Sequence, residues 1–137
     1  MASGFDPVIG ALNTALNLRL MNQNVISSNI ANADTPGYKS QSMEFEGALR
    51  EALGVEEGPK MAQTQPGHVG AQPTDAVHPV IFDDPNGVES LDGNTVDRAS
   101  EMAKMAENQL LYDASVEMLK RKLGMLKYAI SEGGGNR

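Results

Sequence analysis

Ser28-Asn29-Ile30-Ala31-Asn32-Ala33-Asp34-Thr35-Pro36-Gly37-Tyr38-Lys39 divides the chain into two unlike parts. Asn29 and Asn32 stand at helical spacing from Ile26 and Ile30. Asp34-Thr35-Pro36-Gly37 then ends the helix: Pro36 has no amide hydrogen and disfavours helical geometry at Thr35, and Gly37 can take positive φ. A helix stops here and the chain turns.

Upstream, residues 7 to 33 read as that helix, with Pro7 in its first turn and Asp6 as a candidate N-cap. Val8, Ile9, Ala11, Leu12, Ala15, Leu16, Leu18, Leu20, Val25, Ile26 and Ile30 fall within an arc of roughly 200°, about twice what a surface helix needs. Such a helix requires apolar neighbours on more than one side. Arg19, Asn22 and Gln23 lie inside the same arc. They are either a solvated rim or groups that hydrogen-bond across a packed seam and set its register.

Downstream, residues 43–53 read as a short helix that Gly54 ends. Residues 54–91 carry five prolines, and only Val77-His78-Pro79-Val80-Ile81-Phe82 looks like a strand, with Pro79 confining it to an edge. Asp84-Pro85-Asn86-Gly87 is a turn. This stretch reads as extended and partly disordered, with too little apolar content to order itself.

Regular helix returns at residues 94–131. Asn94 and Asp97 resemble a capping box. Met102, Met105, Gln109, Tyr112, Val116, Leu119, Leu123, Leu126 and Ile130 follow at alternating intervals of three and four, the pattern of a coiled-coil seam. About 37 residues at 1.5 Å each make a rod of about 55 Å, longer than the ~30–35 Å of a compact domain of this size. The expected fold is mainly α with an irregular middle, and either the molecule is elongated or its long helix finds partners outside its own chain. The three regions are 1–34, 35–91 and 92–137.

Charge follows the same division. Residues 35–91 carry three bases and nine acids, whereas 92–137 carry seven of each. The net charge of −7 argues against a nucleic-acid partner, which needs clustered Lys and Arg. The absence of cysteine excludes disulfides, thiol nucleophiles and thiolate metal sites. His68 and His78 have no acid at ligand spacing, and a calcium loop around Gly87 fails at its first and twelfth positions, Phe82 and Gly93. No phosphate loop or nucleophile elbow appears. Neither catalysis nor a cofactor is expected. No signal peptide or membrane-spanning run is visible, which by itself suggests a cytoplasmic protein or one exported without a cleaved signal. Two end helices with surplus apolar surface suggest a subunit that completes its core on copies or relatives.

The stretch 28–39 resembles the N-terminal signature of the bacterial flagellar axial family of rod, hook and hook-associated proteins. Asn13-Thr14-Ala15-Leu16-Asn17-Leu18-Arg19, Asp92-Gly93-Asn94-Thr95-Val96-Asp97 and 101–110 are similar to the proximal-rod branch of that family. The resemblance spans residues 8–50 and 91–131 and is least in the middle. It implies an elongated, mainly α fold whose N- and C-terminal helices pair as an antiparallel coiled coil, in a structural subunit of the basal-body proximal rod that is exported unfolded by the flagellar type III apparatus and lies in the periplasm. Implied partners are other rod proteins, the rod adaptor at the membrane ring, the export gate and copies of itself. On this reading Asn29, Asn32, Asp34, Thr35, Pro36, Gly37, Tyr38 and Lys39 form the motif turn, with Tyr38 and Lys39 opening an outer contact surface. Leu12, Leu16, Ile26, Ile30, Met105, Tyr112, Val116, Leu119, Leu123, Leu126 and Ile130 form the assembly seam. A soluble cytoplasmic helical adaptor is the alternative.

Overall fold

Helix α1 runs from Pro7 to Ala31 and stops five residues before Pro36. The structure, a computed structural model, describes residues 7–54 and 79–133. Strand β1 (Gln41–Met43), helix α2 (Phe45–Ala52), strand β2 (Ile81–Asp83) and helix α3 (Arg98–Gly133) complete the order. The chain is mainly helical, and its two long helices pack on each other as expected.

The helices run antiparallel: Asn29 meets Glu101, Asn22 meets Asn108, and Asp34 meets Arg98. At 1.5 Å per residue α1 is about 37 Å long and α3 about 54 Å, so the fold is elongated. Helices of this kind are marginal alone in water. Their pairing supplies the burial that propensity does not.

The wide apolar arc of α1 meets more than one neighbour. It packs on α3, on α2 and on β1. Leu18 and Val25 lie roughly 80–100° around the helix from Ile26, and all three are buried. Ala48 of α2 joins them in the core. The Arg19 guanidinium lies 4.6 Å from the centre of the Phe45 ring, a cation–π contact that ties α2 to α1. Burial lowers the Arg19 pKa, partly offset by Glu107. Among the described residues, Arg19 Nε is the one buried side-chain polar atom without a hydrogen-bond partner.

The stretch read as irregular contains β1 and β2, which pair antiparallel with Ser42 opposite Phe82. The strand falls at Ile81–Asp83, just after Pro79, where amide hydrogens for a ladder become available again. Its partner was not legible, because three residues carry too little period to announce a strand. Helix α2 lies within the expected span, and Gly54 follows it at φ +64°. The Asp84–Gly87 turn closes through Gly87 N to Asp84 O, 3.2 Å. Asp6, His68, His78 and most of the proline-rich segment lie outside the described residues.

One expectation is corrected at the start of α3. The helix begins at Arg98, not near Asn94. Asp97 acts as its N-cap, accepting from the amides of Ala99 and Ser100 at 3.0 and 3.3 Å. Asn94 is buried and holds the turn that follows α1.

Candidate functional site

The turn is built by reciprocal contacts between 35–40 and 92–95. Gly37 takes φ +72° and its amide donates to Asp92 O at 2.9 Å. Thr95 N donates to Tyr38 O at 3.0 Å, and Ser40 N donates to Thr95 Oγ1 at 2.8 Å. Gly93 takes φ +78°, and a Cβ there would lie 3.5 Å from Gly37 Cα. Two glycine turns therefore abut, each in a conformation that L side chains adopt at a cost.

The turn that follows α1 leaves carbonyls that need donors. Asn94 supplies them: its Nδ2 lies 2.9, 3.1 and 2.8 Å from the carbonyls of Asn32, Ala33 and Thr35, its two hydrogens shared among the three. Its Oδ1 accepts from Val96 N at 2.7 Å. A residue leading into α3 thus holds the turn that follows α1.

Asn29 is fully buried and uses its whole hydrogen-bonding capacity. Its Nδ2 donates to Gln41 O and Glu101 Oε2, both at 2.8 Å. Its Oδ1 accepts from Gln41 N at 2.9 Å and the Tyr38 hydroxyl at 3.3 Å. The side-chain amide pairs with Gln41 as a neighbouring strand would. Asn32 serves the turn locally, donating to Ser28 O at 2.9 Å and accepting from Thr35 Oγ1 at 3.2 Å.

From Asn29 the polar network continues outward. Glu101 accepts from Lys104 at 2.7 Å, Lys104 also bonds Asp84 at 3.3 Å, and Asp84 accepts from Ser42 at 3.2 Å. The amide of Asn86 holds Asp84 below its ordinary value. Burial opposes that shift, while Lys104 and Ser42 add to it. Burial disfavours the Lys104 charge, but Glu101 and Asp84 more than offset this and raise its pKa.

The remaining turn residues lie nearer the surface. Asp34 is exposed and bonds Arg98 at 2.6 Å; Pro36 is exposed; Lys39 reaches Gly93 O at 3.1 Å and Glu89 at 3.3 Å. Tyr38 is half-buried with its hydroxyl turned to Asn29 and Ser28.

On α1 the expected seam residues Leu16 and Ile26 are buried, and Leu12 and Ile30 half-buried. On α3, Met105, Tyr112, Val116, Leu119 and Leu126 are half-buried, while Met102, Gln109, Leu123 and Ile130 are exposed. The buried residues of α3 are Glu101 and Asn108, neither of which the apolar repeat includes. Asn108 Nδ2 donates to Arg19 O and Gln23 Oε1 at 2.9 and 2.8 Å, and Asn22 donates back to it at 3.3 Å. Glu101, Met105, Asn108, Tyr112, Ser115, Leu119, Lys122 and Leu126 are all buried or half-buried at alternating intervals of four and three, with Lys104 and Val116 half-buried beside them. The repeat itself is therefore legible in the sequence. Its rotation is not, because periodicity alone favours the more apolar of two overlapping stripes.

Among the described residues no group of His, Cys, Asp or Glu is placed to hold a metal ion, and no helix is long and apolar enough to cross a membrane. The arrangement offers side-chain surface and register rather than a reacting centre.

A profile described as "Flagella basal body rod protein" matches residues 10–39. The chain is 39% identical to the flagellar basal body rod protein FlgB of Aeromonas hydrophila, covering 93% of this chain and 96% of that one. It is 34% identical to FlgB of Salmonella typhimurium, covering 98% and 99%. It is 33% identical to FlgB of Escherichia coli, covering 97% and 99%.

Proposed function

The chain belongs to the FlgB family of flagellar basal-body rod proteins, and from that premise we propose that it is a structural, non-enzymatic subunit of the proximal rod, the inner part of the drive shaft for motility. The observation that carries this reading is the split surface of α3. One stripe packs on α1, while Met102, Leu110, Leu123 and Ile130 remain exposed. Apolar surface of this extent on a polar hairpin suits contact with neighbouring subunits. Those neighbours are copies of the chain and other rod proteins, joined through the terminal helices. Contacts with the rod adaptor at the membrane ring and with the export gate belong to the same reading, as does a periplasmic position reached by type III export.

A subunit that uses different faces as donor and acceptor builds open helical assemblies, as a shaft requires. Purified basal bodies test the proposal. The chain is expected to co-fractionate with them and to be missing from those of a deletion strain, which would be non-motile. Intact rods and normal swimming without it would overturn the reading.

A further inference from the structure

The apolar repeat of α3 offers two seams that share Met105, Tyr112, Leu119 and Leu126. They differ by one position per heptad: Glu101, Asn108, Ser115 and Lys122 flank one side, and Met102, Gln109, Val116 and Leu123 flank the other. In a heptad frame the two seams differ by a roll of about 50°. Burial of apolar surface favours the second, yet the helix uses the first. Met102 and Leu123 are left 57% and 47% exposed, while Glu101 and Asn108 are 3% and 4% exposed.

We infer that the buried polar contacts of Glu101 and Asn108 set the rotation of α3 on α1, and so keep its more apolar stripe turned away from its own chain. Both residues bond α1, and each has one partner there that is held independently, the Asn29 amide and the helix-backbone carbonyl of Arg19. Glu101 meets Asn29, whose orientation Gln41 and Tyr38 determine. Asn108 meets the Arg19 carbonyl and Gln23. Rolling the helix by one position would break every one of these bonds and leave buried polar groups unpaired, which outweighs the apolar area gained. A single polar residue in a coiled-coil seam selects register by the same physics. Here two such residues, seven positions apart, select rotation.

The chain lacks cysteine, so single introduced thiols report rotation without interference. The full chain is prepared with Met102→Cys or with Ser115→Cys, each alone and each combined with Glu101→Ala and Asn108→Ala. Alkylation by iodoacetamide is timed for all four proteins. Without the alanine changes, Met102→Cys is expected to react faster than Ser115→Cys. With them the order inverts, Met102→Cys slowing by roughly tenfold because a thiol in a packed seam reacts only during local opening. Adding Val116→Gln and Leu123→Gln, which makes the second seam polar, is expected to restore the original order. Equal rates at both positions before any alanine change would overturn the inference. So would an unchanged order, or a common acceleration of both thiols. The last result would mean that Glu101 and Asn108 hold the helix in place without choosing its rotation.

Discussion

Asn29, Asn94 and Asn108 are each almost wholly buried, and each spends its side-chain amide on partners distant in sequence. Asn29→Ala leaves the buried Glu101 carboxylate and the Gln41 amide and carbonyl without their partner. Its expected cost is about 2–3 kcal/mol, read from the denaturant midpoint. Asn29→Asp is expected to be worse at neutral pH, because a second carboxylate would face Glu101, and to recover in part on acidification. Gly37→Val tests the turn by a different route. A Cβ there meets nothing within 4 Å, so the cost comes from φ +72° and not from a clash. About 1–2 kcal/mol is expected for Val, and clearly less for Asn, which tolerates this region. Equal melts for the two variants would refute the conformational argument. Gly37 was legible because Pro-Gly announces a turn locally. The turn-holding role of Asn94 was not, since it reaches carbonyls some 60 residues earlier.

For the elements, a stripe-by-stripe comparison separates folding from assembly. Leu119 is half-buried against α1, whereas Leu123 is exposed. Leu119→Asp puts a charge in the seam and is expected to cost about 2 kcal/mol or more, lowering the melting temperature of the chain. Leu123→Asp is expected to leave that melt within about 0.5 kcal/mol and yet to abolish incorporation into rods. Wild-type motility with Leu123→Asp would remove the exposed stripe from the interface. The helices themselves were readable from their periods, and α1's double burden from the breadth of its apolar arc. The β1–β2 pair was not readable, because two three-residue strands separated by 37 residues have no local signature.

Over the whole molecule, the network from Asn29 to Asp84 links α1, β1, the turn after β2 and α3, and it gives stability a defined pH range. Asp84 is lowered in the folded chain, so its contribution is present above its unfolded value of ~3.9 and is lost as pH falls through the lower folded value. Lys104 is raised, so its contribution is present below ~10.4 and is lost as pH rises through the higher folded value. Denaturant midpoints are expected to hold a plateau between those limits. Lys104→Met, which removes the link to both carboxylates, should lower the plateau and flatten both edges; unchanged midpoints across the range would rule out the network as a contributor. The order of elements follows from local features of the chain. Helical periods, a Pro-Gly stop and the prolines between residues 54 and 91 mark which stretches are helical, because these depend on neighbours within a few residues. Which stripe of α3 turns inward depends instead on where Asn29, Gln23 and the Arg19 carbonyl lie across the seam. Only the folded chain brings those groups within hydrogen-bond distance of Glu101 and Asn108, and so only tertiary packing decides which apolar surface is left for a neighbour.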